Sequence, residues 1–277
     1  MHSNGFSNGF EQSGSFGQFS AFLASKGASL EKLSLNHATM KILKTILTKL
    51  KVIKSLRTNS TSLSTDKEFY DRFLTITSLK ALTLHDAIPS DDSAKGLLRL
   101  SPNLEVLKAF HDPRGFIPRL LSFIAVQNPN LRALHVDTLQ VVSNDYSTVQ
   151  FGFSVANLKA LAMLHIENFN HPESVLTFLK ANPTVATLRL TNIDERLTIK
   201  EVFTSFLEVV SLKHLIVTGS VSATKEIFNA IKENYKTLKS LELNVDDTGC
   251  THKMTFHLPQ DSSEWDSRCS FFDTVDK

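Results

Sequence analysis

Cysteine is nearly absent from this chain. Two stand in 277 residues, Cys250 and Cys269, both close to the C-terminal end. That is too few for a disulfide framework, and their placement suits no zinc site. An excess of charge of one sign is also missing. Thirty basic residues face 28 acidic ones, for a formal charge of +2, and no run of five like charges occurs. That argues against a nucleic-acid-binding tail and a polybasic membrane anchor. No apolar stretch reaches 18 residues, so no membrane-spanning helix is expected. The opening MHSNGFSNGFEQSGSFG lacks the apolar core of a secretory signal, so the expected location is cytoplasmic, with the nucleus also open. The phosphate-binding, zinc-protease, redox and nucleophile-elbow signatures are all missing. The ten histidines include no pair at helical metal spacing with a third ligand nearby, and Cys250 with His252 reads as an incidental pair. Asn59-Ser60-Thr61 matches a glycosylation sequon, which has no use without secretion. No catalytic residue, metal or cofactor is expected, and the chain is read as not an enzyme.

What is abundant is leucine, 38 residues of it, and its placement is periodic. An L-x-x-L-x-L phrase recurs nine times, beginning at Leu30, Ile53, Leu79, Leu104, Leu131, Leu161, Val185, Leu212 and Leu238. The intervals are 23, 26, 25, 27, 30, 24, 27 and 26 residues, with a mean of 26. A fixed period of that size predicts a solenoid. Within each phrase apolar and polar residues alternate, as in Lys32-Leu33-Ser34-Leu35, which is the pattern of a strand wet on one face. Between phrases lie amphipathic stretches. Thr65 with Glu68 and Thr198 with Glu201 have capping-box spacing, and Ile199, Val202, Phe203, Phe206 and Val210 follow at helical intervals. Pro118 and Pro172 suit a first helical turn. Ser-Pro-Asn at 101–103, Asn-Pro-Asn at 128–130 and Asn-Pro-Thr at 182–184 break a helix just before a strand.

The main rival is a doubly wound α/β domain. Its parallel sheet is covered on both faces, and its strands read as unbroken apolar runs. The alternation here excludes it. Strands stack about 4.8 Å apart whereas helices need about 10 Å, so such a stack curves with its sheet on the concave side. The expectation is an α/β solenoid of nine repeats with a parallel sheet inside and helices outside.

These residues resemble the leucine-rich-repeat family, the α/β horseshoe of the ribonuclease-inhibitor kind. The 26-residue period and the lead-ins Ser101 to Leu104 and Asn128 to Leu131 are similar to the repeat region of F-box–leucine-rich-repeat proteins. The resemblance covers about residues 28–246 and implies substrate capture for a cullin-type ubiquitin ligase. Two departures stand out. The Asn or Cys that the family often carries three residues after the phrase is absent from all nine units, and no F-box motif precedes the repeats. The adaptor contact is therefore expected only if an F-box lies upstream.

Residues 1–15 read as a disordered low-complexity leader and 16–246 as the repeat domain, opened by a capping helix on Phe19, Phe22 and Leu23 with Gly27 as its stop. Residues 247–277 read as a cap or a disordered tail, with Trp265, Phe271 and Phe272 as candidate cap residues. The longest unit, from Leu131 to Leu161, carries an expected loop at about 142–155.

The residue between the last two apolar positions of each phrase faces the concave side. That column contains Arg57, Lys108, His135, His165 and Arg189, and the neighbouring column contains His85, Phe110, Asp137 and Glu167. A basic stripe beside an aromatic suits an acidic segment of a protein partner. These nine residues are the candidate partner-binding set, in a chain expected to be monomeric and to bind neither nucleic acid nor membrane. A solvated polar face of no selected sign is the alternative, since any water-facing sheet needs such residues. His85, His135, His165 and His214 fall on strand positions expected to be exposed. That raises the idea that binding tightens as they protonate. The runner-up reading is a regulator of a GTPase or another signalling enzyme, although the tail is mixed in charge where horseshoe GTPase-activating proteins are strongly acidic. A free-standing leucine-rich-repeat adaptor is a further alternative.

Overall fold

A computed structural model of the chain describes residues 13–35, 40–59, 75–85, 91–110, 116–137, 156–167, 172–193, 209, 212–220, 237–247 and 250–257. The chain divides into two compact units, residues 1–161 and 162–277.

Five parallel strands form the first unit: β1 (Lys32–Leu35), β2 (Ser55–Asn59), β3 (Ala81–His85), β4 (Val106–Phe110) and β5 (Ala133–Asp137). Each is the second half of a leucine phrase, and the registers align the phrases position by position. Leu33, Leu56, Leu82, Leu107 and Leu134 form one row, and Leu35, Thr58, Leu84, Ala109 and Val136 form the next. Every member of both rows is buried, whereas the residues between them in β1 to β4 are exposed or half-buried. This is the one-sided wetting that the alternation predicts.

A shared turn precedes the strands. The first apolar residue of six phrases donates its N–H to the carbonyl three residues back, as Leu79 does to Ile76, Leu104 to Ser101, Leu131 to Asn128 and Leu161 to Leu158. One carbonyl per phrase then accepts two N–H groups from the following phrase. Lys54 O, for example, accepts from Lys80 and Ala81, and Lys80 O accepts from Glu105 and Val106. These repeated bonds meet the backbone's demand at each strand entry and lock neighbouring phrases in register.

Helices return the chain between strands. They are α1 (Ser13–Lys26), ahead of β1, α2 (Met40–Lys49), α3 (Asp91–Leu100), the single turn α4 (Phe116–Arg119) and α5 (Leu121–Gln127). Their inner faces follow helical spacing: Ile42 and Ile46 on α2, Ala94, Leu97 and Leu98 on α3, and Leu121 and Ile124 on α5 are buried. Helix α1 starts at Ser13, three residues ahead of the expected Phe16, and buries Phe19 and Leu23. The stop at Gly27 has a steric basis. Its N–H bonds Leu23 O at 2.8 Å, and a Cβ there would lie 2.3 Å from that same oxygen and 3.0 Å from Leu50 Cδ2. Only glycine allows so close an approach.

The second unit repeats the pattern with β6 (Met163–Glu167), α6 (Pro172–Ala181), β7 (Thr187–Thr191), β8 (His214–Ser220) and β9 (Ser240–Asp247). Strands β6 to β9 are parallel, and their Leu164, Leu188, Leu215 and Leu241 form a buried row. Pro172 is the first residue of α6 and Pro118 sits within the single turn of α4, so both occupy the helical starts expected of them. A tenth strand, β10 (Cys250–His257), turns back antiparallel on β9. No leucine phrase announces it. No helix among the described residues is long and apolar enough to cross a membrane. The expected capping-box helices at 65–73 and 198–210 (Val209 apart), the loop at 142–155, the leader before Ser13 and the aromatic residues of the tail lie outside the described residues.

Candidate functional site

Six of the nine candidate residues lie in the first unit. Strand registry puts Arg57 beside Thr83 and Thr83 beside Lys108, so the two cations stand two strands, about 10 Å, apart on one row. Both are exposed, and neither forms an ion pair or hydrogen bond with a described residue. One row over, His85 pairs with Phe110. Their rings stack at 4.3 Å with 15° between planes, and the imidazole of His135 meets the other side of Phe110 edge-on at 4.2 Å and 76°. The result is a three-ring ladder across β3, β4 and β5, flanked by Lys108. Stacked and edge-to-face pairs of this kind hold an aromatic side chain in place even where it is half-exposed.

The expectation of a wholly exposed set fails at two positions. His135 is 7% exposed and Asp137 only 1%. Strand β5 is buried from Leu134 through Asp137, on both faces, and the Phe110 ring covers the His135 imidazole. These two residues support the surface without forming it. His85 is half-buried beneath Phe110 and only His214 of the four histidines is exposed, so the histidines do not form an even, water-facing set.

Two lysines at the strand entries contrast with Arg57 and Lys108. Lys54 Nζ lies 2.6 Å from Glu31 and Lys80 Nζ 2.9 Å from Glu105. In each case the hydrogen bond from the lysine, with its charge, holds the glutamate below the usual carboxylate range. Two cations of the entry edge are thus neutralised in pairs, while Arg57 and Lys108 have no ion-pair partner among the described residues.

The other three candidates lie in the second unit. His165 and Arg189 are in register, as are Glu167 and Thr191. All but Thr191 are half-buried, and His165 Nε2 lies 3.2 Å from Thr191 Oγ1. Further along the same face is a polar group absent from the expected set. Lys253 of β10 reaches Glu242 at 2.8 Å, and Asn244 Nδ2 donates to Glu242 Oε1 at 3.3 Å and to Thr218 Oγ1 at 3.2 Å. Burial pushes the Glu242 carboxyl up, but the bonds from Lys253 and Asn244 and the charges of Lys253 and Arg189 outweigh it, and the net direction is down. The signal for this group was the two-residue alternation of Thr251, Lys253 and Thr255 after a Thr-Gly turn dipeptide.

The described residues include no cluster of three or more His, Cys, Asp or Glu able to hold a metal ion. The arrangement offers shape, charge and an aromatic ring, which are the means of recognition. No protein-family model matches the chain, and a search of curated proteins returns no match.

Proposed function

We propose that the chain is a leucine-rich-repeat recognition module, without catalytic chemistry, whose first unit takes an acidic segment of a protein partner on the water-facing side of its sheet. The observation that carries this reading is Phe110, half-exposed and fixed between His85 and His135, with Arg57 and Lys108, cations unpaired among the described residues, on the adjacent row. A rigid aromatic anchor with uncompensated charges beside it is the composition of a binding hot spot. Cations about 10 Å apart lie within side-chain reach of acidic residues two or four positions apart, which share one face of an extended segment. Substrate capture for a ubiquitin ligase is the setting that the family resemblance suggests.

The test uses two labelled peptides, one alternating Glu with Leu and the other Lys with Leu, titrated at fixed ionic strength. The native chain should prefer the acidic peptide, and the double variant Arg57→Glu/Lys108→Glu should reverse that preference. Phe110→Ala should weaken binding with little effect on charge preference. If the double variant keeps the native preference, the reading is wrong. The variants' unfolding midpoints, set against that of Leu164→Asp, which buries a carboxylate in the core, separate lost contacts from lost structure.

A further inference from the structure

Arg189 stands at the centre of β7, in register with His165 on one side and Ile216 on the other. The residue is half-buried. Its Nε is wholly covered and meets no acceptor among the described residues. Arg189 also forms no ion pair with any of them. A guanidinium is always charged and carries five donors in a planar fork, so a covered, unmet donor is a standing cost to the folded state.

The carboxylate that senses this charge is Glu242, which stands on the far side of Ile216 in the same register row. It is already held by Lys253 at 2.8 Å and by Asn244. Lys253 and Asn244 already engage Glu242, and with Glu167 one row away on the neighbouring strand, the Arg189 guanidinium is left without an ion-pair partner among the described residues. Ile216, half-buried beside the fork, supplies an apolar wall that lowers the local dielectric and strengthens whatever ion pair forms there.

We propose that Arg189 is the receptor for a single carboxylate brought by a bound partner. The planar fork matches a carboxylate oxygen for oxygen, and its own charge is single. A phosphate dianion fits less well, because its second charge would face Glu242. The proposal rests on reading the water-facing sheet as a recognition surface, but it concerns the second unit and a defined chemical group. The carboxylate comes either from an acidic side chain or from a chain terminus.

The experiment follows the Nε–Hε resonance of Arg189 in the full chain at constant ionic strength. The probes are N-acetyl-aspartate methylamide, N-acetylglycine, N-acetyl-asparagine methylamide and inorganic phosphate, each to about 50 mM. Saturable movement with at least one of the two carboxylates is expected, together with several-fold weaker or no response to the asparagine amide and to phosphate. The first carboxylate carries a side-chain group and the second a terminal one, so their relative affinities identify the source. Arg189→Gln should abolish the rise in unfolding midpoint that the better probe gives the native chain, and Arg189→Lys, which keeps the charge and loses the fork, should retain only part of it. No saturable response to either carboxylate, an equal response to the amide, or tighter binding of phosphate overturns the proposal. The Arg57→Glu/Lys108→Glu variant should respond as the native chain does, so failure of the first-unit reading leaves this result standing.

Discussion

Asn128 donates from Nδ2 to the carbonyl of Ser101 at 2.7 Å, one repeat earlier in the chain, and to Leu98 O at 3.3 Å. The asparagine is fully buried, and so, nearly, is Ser101. One side chain thus closes the end of helix α3 and ties it to the turn ahead of β5. The same position, three residues ahead of the phrase, is occupied in the second unit by Asn182, also buried, whose Nδ2 bonds Phe178 O at 2.8 Å. A buried amide that adds a second donor to carbonyls at the helix end and in the turn is the stabilising device here: Ser101 O and Leu98 O each also accept one backbone N–H.

Asn128→Ala should therefore cost about 1–3 kcal/mol, because two buried hydrogen bonds are lost, although each carbonyl keeps one backbone N–H. Asn130→Ala, two residues on and exposed, should stay within about 0.5 kcal/mol. Chemical unfolding of the two variants beside the native chain makes the comparison. Equal midpoints for both would show that the Asn128 bonds are replaceable.

The leucine phrase made β1 to β9 legible because strand alternation is a local property of sequence. Other features depend on what covers a residue, and that is not local. His135 and Asp137 occupy polar positions of a regular phrase, yet β5 is covered on both sides. Asn128 was readable as a turn former beside proline, but its buried amide answers carbonyls one repeat earlier in the chain. Strand β10 escaped because it pairs antiparallel and contains no leucine. Within the candidate set, Arg57, Lys108 and Phe110 were legible by column, and the difference between paired and unpaired cations emerged only from the distances.

Thr58 occupies the last position of the second phrase, where the other eight phrases have Leu, Ala, Val or Ile. It is 1% exposed, stands in register between Leu35 and Leu84, and its Oγ1 has no partner among the described residues. Thr58→Val keeps the shape and removes the unmet hydroxyl, so it should stabilise the first unit by about 1 kcal/mol. Thr58→Ser keeps the hydroxyl and loses a methyl, and it should lower the unfolding midpoint. A lower midpoint for the valine variant would mean that the hydroxyl is satisfied and the argument is wrong.

Glu242 provides a pH test of the second unit. Its carboxyl is held below the ordinary value of 4.5 despite burial, by Lys253 and Asn244 and by the charges of Lys253 and Arg189. A carboxyl with a depressed folded-state pKa contributes stability that is fully present above the unfolded value and lost as the pH falls through the folded one. Glu242→Gln should therefore lower the thermal midpoint near pH 7, and the gap from the native chain should close as the pH falls below 4.5 and through the lowered folded-state value. Glu31 and Glu105 are also depressed, but they are present in both proteins and cancel in the difference. Lys253→Met should reduce the same gap from the other side of the ion pair, because it removes the cation that lies 2.8 Å from the carboxylate. A gap that stays constant from neutral to acid pH would place the effect of the glutamine in packing, and the β9–β10 ion pair would then contribute nothing to acid stability.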